Sequence, residues 1–127
     1  MAIDLKHTTA NDLLDRYDTV FPAGSLLEIR TGAAPGPENA ATGTLLVSIT
    51  LPATPWSAAS NGSKAKNGTW SGTAVATGTA AHYRLKNAGD THREEGTVGL
   101  GSGDLSLDNT SIATDQTVTI STFTKTL

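Results

Sequence analysis

The second half of the chain is a run of short, strand-like segments rich in Thr and Ala, and this run constrains the fold more than any other feature. From Gly43 onwards, Gly, Asn and Asp interrupt it every few residues. Thr favours a half-buried pleated surface, whereas Gly, Asn and Asp mark turns. About eight or nine short strands therefore predict an all-β fold, an antiparallel β-sandwich or jelly roll, with one short N-terminal helix.

The N-terminal helix is expected from a stripe of apolar residues at helical spacing. The stripe consists of Leu13, Leu14, Tyr17, Val20 and Phe21. Thr9 and Asp12 resemble a capping box at the helix start, and Pro22 ends the helix. A helix of about ten residues is not stable alone, so its stripe is expected to lie on the sheet. We divide the chain into an N-terminal arm and helix, residues 1–24, and a β-sandwich, residues 25–127, within one domain.

Alternating patterns predict several strands and their connections. In residues 25–31, Leu27 and Ile29 fall on one face of a strand, and Glu28 and Arg30 fall on the other. Residues 44–51 form the clearest strand, in which Leu46 is an apolar residue on the outer face. The Asn61-Gly62 pair predicts a tight hairpin turn after a strand at 56–60. A second hairpin, residues 79–98, is expected to place Arg84 opposite Glu94 or Glu95.

The last strand is predicted at residues 117–126. Val118 and Ile120 face inward there, but Phe123 is out of phase with them. This mismatch predicts a bulge near Ser121 and Thr122, or burial on both faces.

Few residues of the chain can carry chemistry. It has no cysteine and three histidines, and no acid–base pair stands in a recognisable motif. His82 and His92 could form a metal site with a glutamate, but the sequence favours their assignment to a solvated hairpin face. A calcium site could be built from Asp104, Asp108 and Asp115, but turn and cap roles are favoured for these aspartates. The Gly-rich segment 99–107 lacks the pattern of a phosphate loop and is expected to be a flexible loop. We predict no catalytic residues, no metal and no cofactor, and hence not an enzyme.

The charge pattern bears on partners and location. The net charge is −3, and no basic patch is present, so no nucleic-acid partner is expected. No stretch approaches the roughly 20 apolar residues of a membrane span, and the N-terminus lacks the pattern of a signal peptide. We therefore expect synthesis in the cytoplasm and no membrane partner.

Seven ordered blocks of the sequence resemble a family of small virion proteins of tailed bacteriophages. The blocks are residues 27–35, 42–52, 56–60, 76–85, 96–98, 104–112 and 118–123. Their order and spacing carry the resemblance, which covers nearly everything after the helix. The segment His92-Arg93-Glu94-Glu95 is more charged than the family pattern and departs from it.

The resemblance implies a structural protein on the exterior of a virion. Capsid decoration, also called cement, is the first expectation, with the major capsid protein as partner and a homotrimer as the assembly. A tail or neck component of the virion is one alternative. A carbohydrate-binding or adhesin module is another, and it needs Trp56, Trp70 or Tyr83 to be exposed in a groove. The residues expected at an interface are Leu13, Tyr17, Leu46, Trp56, Trp70, Arg84 and Phe123.

Overall fold

The computed structural model describes residues 4–127; residues 1–3 of the expected N-terminal arm lie outside the described residues. The described chain is mostly β with a short N-terminal helical region, as predicted. The helices are α1 (His7–Asp15) and α2 (Tyr17–Val20). The strands are β1 (Leu26–Arg30), β2 (Leu45–Thr50), β3 (Ser63–Ala65), β4 (Ser71–Thr73), β5 (Gly78–Thr79), β6 (His82–Lys86), β7 (Arg93–Gly99), β8 (Leu105–Leu107), β9 (Ser111–Ile112) and β10 (Thr117–Thr126).

Eight of these strands form one curled sheet in the order β2-β1-β6-β7-β8-β10-β3, with β4 also paired to β10. Beyond β4 the chain returns to β2, where Val75 N–H donates to Leu46 O at 2.7 Å. The strands β5 and β9 form a separate two-stranded ribbon. Because the sheet curls until β2 and β4 meet, it encloses one core and gives a sandwich-like fold.

The pair β7–β8 is parallel and departs from the antiparallel pattern expected throughout. Parallel neighbours usually need a connection of a dozen or more residues, but here residues 100–104 suffice. A Cβ at Gly99 would lie 2.3 Å from Ser102 O, so only glycine permits this tight reversal. The Asp104 carboxylate accepts hydrogen bonds from the Thr97 N–H at 3.0 Å and the Thr97 hydroxyl at 3.1 Å. The loop expected here is a hydrogen-bonded turn that leads into β8.

The core is organised around an aromatic cluster on the inner face of the sheet. The Trp56 and Trp70 ring centroids lie 5.1 Å apart, and the Phe123 ring is 5.7 Å from both. The register between β10 and β8 shifts between Ile120 and Thr122. This shift is the predicted bulge, and it turns both Ile120 and Phe123 toward the core.

The helix begins earlier than predicted. The structure places Lys6 at the N-cap without a side-chain capping bond, and Thr9 lies inside the first turn of α1. The capping box expected at Thr9 and Asp12 is therefore wrong. Leu14 and Phe21 of the apolar stripe are buried, whereas Leu13 is 54% exposed.

Both predicted hairpins form. Ser60 and Ser63 make a bridge around Asn61 and Gly62, whose φ angles of 51° and 76° suit a tight hairpin turn. In the β6–β7 hairpin Arg84 lies opposite Glu95. Within residues 56–60, in contrast, the structure has isolated bridges at Trp56 and Ser60 in place of the expected strand.

Candidate functional site

The seven residues predicted at an interface separate into a buried and an accessible group. The buried group, each member at most 3% exposed, consists of Leu46, Trp56, Trp70, Arg84 and Phe123. These five side chains build the interior and present no contact surface on the described chain. Leu13 and Tyr17 are the two accessible members, and they lie four residues apart on the same side of the helical region.

Leu46 and Arg84 are buried because β5 and a loop cover the outer face of the sheet. A Cβ at Gly78 would lie 3.1 Å from Leu46 Cδ2, so the start of β5 packs directly on Leu46. Arg84 lies under residues 36–39, where its guanidinium donates to Asn39 O at 2.7 Å and Gly36 O at 3.2 Å. Alternation along a strand identifies the outer face but does not reveal that a loop will cover it.

A groove runs between the helical region and the start of β7, and it is the principal accessible feature around Leu13. Its volume is about 310 Å³. The lining residues are Leu13, Arg16, Tyr17, Val20, Phe21, His92, Arg93 and Glu94. The helical side is largely apolar, while the β7 side is charged. We call this feature the helix groove.

One wall of the helix groove is a hydrogen-bonded cluster around Glu94. The Tyr17 hydroxyl donates to one Glu94 oxygen, and the Tyr83 hydroxyl donates to the other at 2.6 Å. Lys125 from β10 forms an ion pair with Glu94, and its ammonium lies 4.1 Å from the Phe123 ring centroid. The cluster joins α2, β6, β7 and β10 and so fixes the helical region against the sheet.

Titration of the cluster follows from its burial. Burial, together with the adjacent Glu94 carboxylate, raises the pKa of both the Tyr17 and the Tyr83 hydroxyl. Burial lowers the pKa of the Lys125 ammonium, against the opposing influence of Glu94. Both tyrosines therefore keep their protons well above neutral pH and continue to donate to Glu94.

A second lysine holds the opposite side of the helix. The Lys64 side chain is fully buried, and its ammonium donates to Asp15 at 2.7 Å and to Ser57 O at 2.9 Å. Asp18 lies 3.2 Å from the same ammonium. The hydrogen bond from Lys64, followed by that from the Ala59 N–H, lowers the pKa of Asp15. The helical region is thus clamped on both sides, and the helix groove between it and β7 is preformed.

The sequence did not identify Lys64 or Lys125 as structural anchors. A signal was present for Lys125, because it lies two residues after Phe123 and so shares its strand face. Lys64 follows a hairpin turn, where a lysine is usually solvated, and it is buried because α1 packs over β3. That burial depends on contacts between distant segments, which local patterns do not encode.

The histidines and aspartates considered for metal binding are not brought together. His82 lies opposite Thr97, where its Nδ1 is 2.8 Å from Gly32 O, whereas His92 lies at the turn end of the same hairpin and is exposed. Within residues 4–127, no group of three or more His, Asp or Glu side chains is arranged to hold a metal ion.

The aromatic rings considered for sugar stacking face the interior. Trp56 is 3% exposed, Trp70 is fully buried and Tyr83 is 1% exposed. The Trp56 indole N–H donates to Phe21 O at 3.0 Å, and the Trp70 indole N–H donates to Asn67 O at 3.1 Å. Both tryptophans are core residues, and neither presents a ring face to a ligand.

Comparison with protein-family models, with curated proteins and with solved structures finds no match to this chain. The resemblance to virion proteins therefore depends on the sequence blocks alone. Among the described residues, no helix is both long and apolar enough to cross a bilayer.

Proposed function

We propose that this chain is a structural protein of a tailed-bacteriophage virion and that it decorates the capsid exterior. In this role it binds the major capsid protein as a homotrimer and strengthens the shell by bridging neighbouring capsomers. Each contact is modest, but a shell presents many equivalent sites, so bridging copies stabilise it through multivalency. The ordered sequence blocks that resemble virion proteins motivate the assignment.

The observation that supports this role best is the preformed helix groove. Lys64 clamps one side of the helical region, and the Glu94 cluster clamps the other. A surface held in this way loses little conformational entropy when a partner docks, which favours binding. Leu13, at 54% exposure, offers an apolar contact at its edge.

The burial of the aromatic rings disfavours the carbohydrate-binding alternative. A sugar platform needs an accessible ring face, and the two tryptophans and Tyr83 are all in the core. A tail or neck component would have the same fold and surface, so position in the particle distinguishes it from a decoration protein.

The test is cryo-electron microscopy of the parent particle with and without this protein, combined with mass spectrometry of purified particles. We expect density at threefold or quasi-threefold positions of the capsid and lower heat stability of particles that lack the protein. Density confined to the tail or neck would assign it there. Absence of the chain from purified particles would overturn a virion role.

A further inference from the structure

Leu13 lies on the solvent side of α1, at the edge of the helix groove. One acidic and one basic side chain lie beside it, and neither forms an ion pair with another described residue. Leu13 is 54% exposed, and Asp12 and Arg16 are exposed on either side of it in sequence. None of the ion pairs among the described residues includes Asp12 or Arg16. We call Asp12, Leu13 and Arg16 the helix patch.

The helix patch contrasts with the rest of the helical surface. Asp15 and Asp18, which also lie on the helical region, both contact Lys64. Tyr17, on the groove side, donates to Glu94. Asp12 and Arg16 therefore differ from Asp15 and Asp18, because neither forms an ion pair within the described chain, and an exposed leucine lies beside them.

We propose that the helix patch is the self-contact surface of this protein, where a second copy covers Leu13 and Asp12 of one copy pairs with Arg16 of the next. The inference builds on the proposed structural role and names the surface through which copies associate. Asp12 and Arg16 are four residues apart on one side of the helix, so a neighbouring helix can meet both. The patch carries one acid and one base, and it therefore complements a copy of itself.

A second copy fits this surface better than a partner of a single charge sign. An acidic partner would meet Arg16 favourably but would be repelled by Asp12, and a basic partner would face the reverse problem. Leu13 is 54% exposed beside these two charges, so a second copy can cover it while the charges pair.

Sedimentation velocity and native mass spectrometry of the purified full chain test this proposal. Over about 1 to 100 µM, we expect a discrete oligomer whose mass gives the number of copies. The Leu13→Glu variant should weaken self-association about a hundredfold, because it buries a carboxylate where the contact needs an apolar group. Leu100→Glu is the matched control: Leu100 is 65% exposed but lies in the β7–β8 turn, and this variant should associate like the wild type.

A charge exchange tests the pairing itself. Asp12→Arg and Arg16→Asp should each weaken association about tenfold, and the double variant should return to within about threefold of the wild type. Far-ultraviolet circular dichroism checks that each variant is folded, and Leu13→Ala repeats the test without a new charge.

A wild-type chain that is monomeric at about 100 µM would overturn the self-contact, as would an oligomer that is insensitive to both Leu13→Glu and Asp12→Arg. These results leave the virion role to be decided by the particle experiment. A monomeric chain found on the capsid would refute the self-contact alone. An oligomeric chain missing from particles would refute the virion role alone.

Discussion

The two faces of the central strands are both buried, but different interactions cover them. On the inner face, Leu27 and Ile29 of β1 and Leu85 of β6 are completely buried among apolar side chains. On the outer face of the same strands, Glu28 is 7% exposed and Arg84 is 3% exposed. The inner face is covered by the rest of the curled sheet, and the outer face is covered by a loop.

The outer face is held by charge-assisted hydrogen bonds. Arg84 lies 2.7 Å from Glu95, and the side chains of this pair are only 4% and 3% exposed. Glu95 also accepts a hydrogen bond from Gly36 N–H at 2.8 Å. The loop backbone thus supplies partners that water would otherwise provide. Burial of the outer face thus depends on satisfied pairing, whereas burial of the inner face depends on apolar area.

The largest expected effect is at the centre of the inner face. Trp70→Ala should lower the free energy of unfolding by about 4 kcal/mol, since it leaves a cavity where the Trp56 and Phe123 rings now pack. Chemical denaturation followed by far-ultraviolet circular dichroism measures the change. Near-ultraviolet circular dichroism should lose intensity in the same variant, because the rings lose their fixed arrangement.

Trp70→Phe is the matched control for this prediction. It keeps an apolar ring in the cluster and should cost clearly less than Trp70→Ala, although it removes the indole N–H that donates to Asn67 O. Equal losses for the two variants would mean that this hydrogen bond, and not ring packing, stabilises the site.

A smaller loss is expected on the outer face. Glu95→Gln should lower the free energy of unfolding by about 3 kcal/mol, because it leaves the buried Arg84 charge without its counter-charge. Denaturant melts measure the loss. Hydrogen exchange should quicken at Gly36, whose N–H bonds to Glu95.

The double variant Arg84→Met with Glu95→Leu tests whether charge pairing determines the stability of the outer face. Removing both charges avoids an uncompensated buried charge, so the double variant should be more stable than Glu95→Gln. The loop atoms that lose Arg84 and Glu95 can then turn toward water. A double variant less stable than Glu95→Gln would contradict the view that pairing, rather than apolar area, decides this face.

The inner face was largely predictable from sequence. On the outer face the pairing of Arg84 with a glutamate was predictable, but the burial of that pair was not. Alternation identified Leu27, Ile29 and the bulge before Phe123, since a period of two encodes which side chains share a face. The same alternation assigned Glu28 to an outer surface without showing that it is buried. Glu28 forms ion pairs with Arg30 and Lys86. The burial of its neighbour Arg84 depends on residues 36–39 folding back over the sheet, a contact between segments distant in sequence.

The candidate site also contains residues that the sequence predicted and residues that it could not reveal. Leu13 and Tyr17 were expected at an interface from the helical stripe, and both border the helix groove. Large aromatic side chains favour protein interfaces as well as protein cores, and their chemistry alone does not distinguish an interface residue from a core residue. For this reason an interface was also expected to include Trp56, Trp70 and Phe123. The Glu94 cluster needs four elements to converge, so no single segment of the sequence could reveal it.

The Glu94 cluster lies where the aromatic core meets the helix groove, and it joins the two kinds of interaction. Tyr83 contributes its ring to the core, with its centroid 5.1 Å from that of Phe123, and its hydroxyl to Glu94 and Lys125. Because the pKa of Tyr83 is raised in the folded chain, the folded state keeps this proton at a pH where the unfolded state releases it. The resulting stabilisation is complete below the unfolded pKa of about 10 and is lost as pH rises above it.

Lys125 acts in the opposite direction. Its lowered pKa means that the unfolded chain binds the lysine proton more tightly, so stability rises with pH up to the ordinary lysine pKa of about 10.4. Tyr17, whose pKa is also raised, acts with the same sign as Tyr83. The contribution of this cluster to stability should therefore reach its maximum near pH 10.

The smallest predicted effect is a change of slope in the Tyr83→Phe variant. Between about pH 10 and 11, the wild type should lose about 1 kcal/mol through Tyr83, and the variant should lack this contribution while keeping that of Tyr17. Denaturant melts at about pH 9, 10 and 11 measure both slopes. The variant should be less stable at neutral pH, because the hydrogen bonds to Glu94 and Lys125 are gone, but its decline at high pH should be shallower. Parallel curves above pH 10 would mean that Tyr83 ionises in the folded chain as readily as in the unfolded one, and that the polar end of the core is open to solvent.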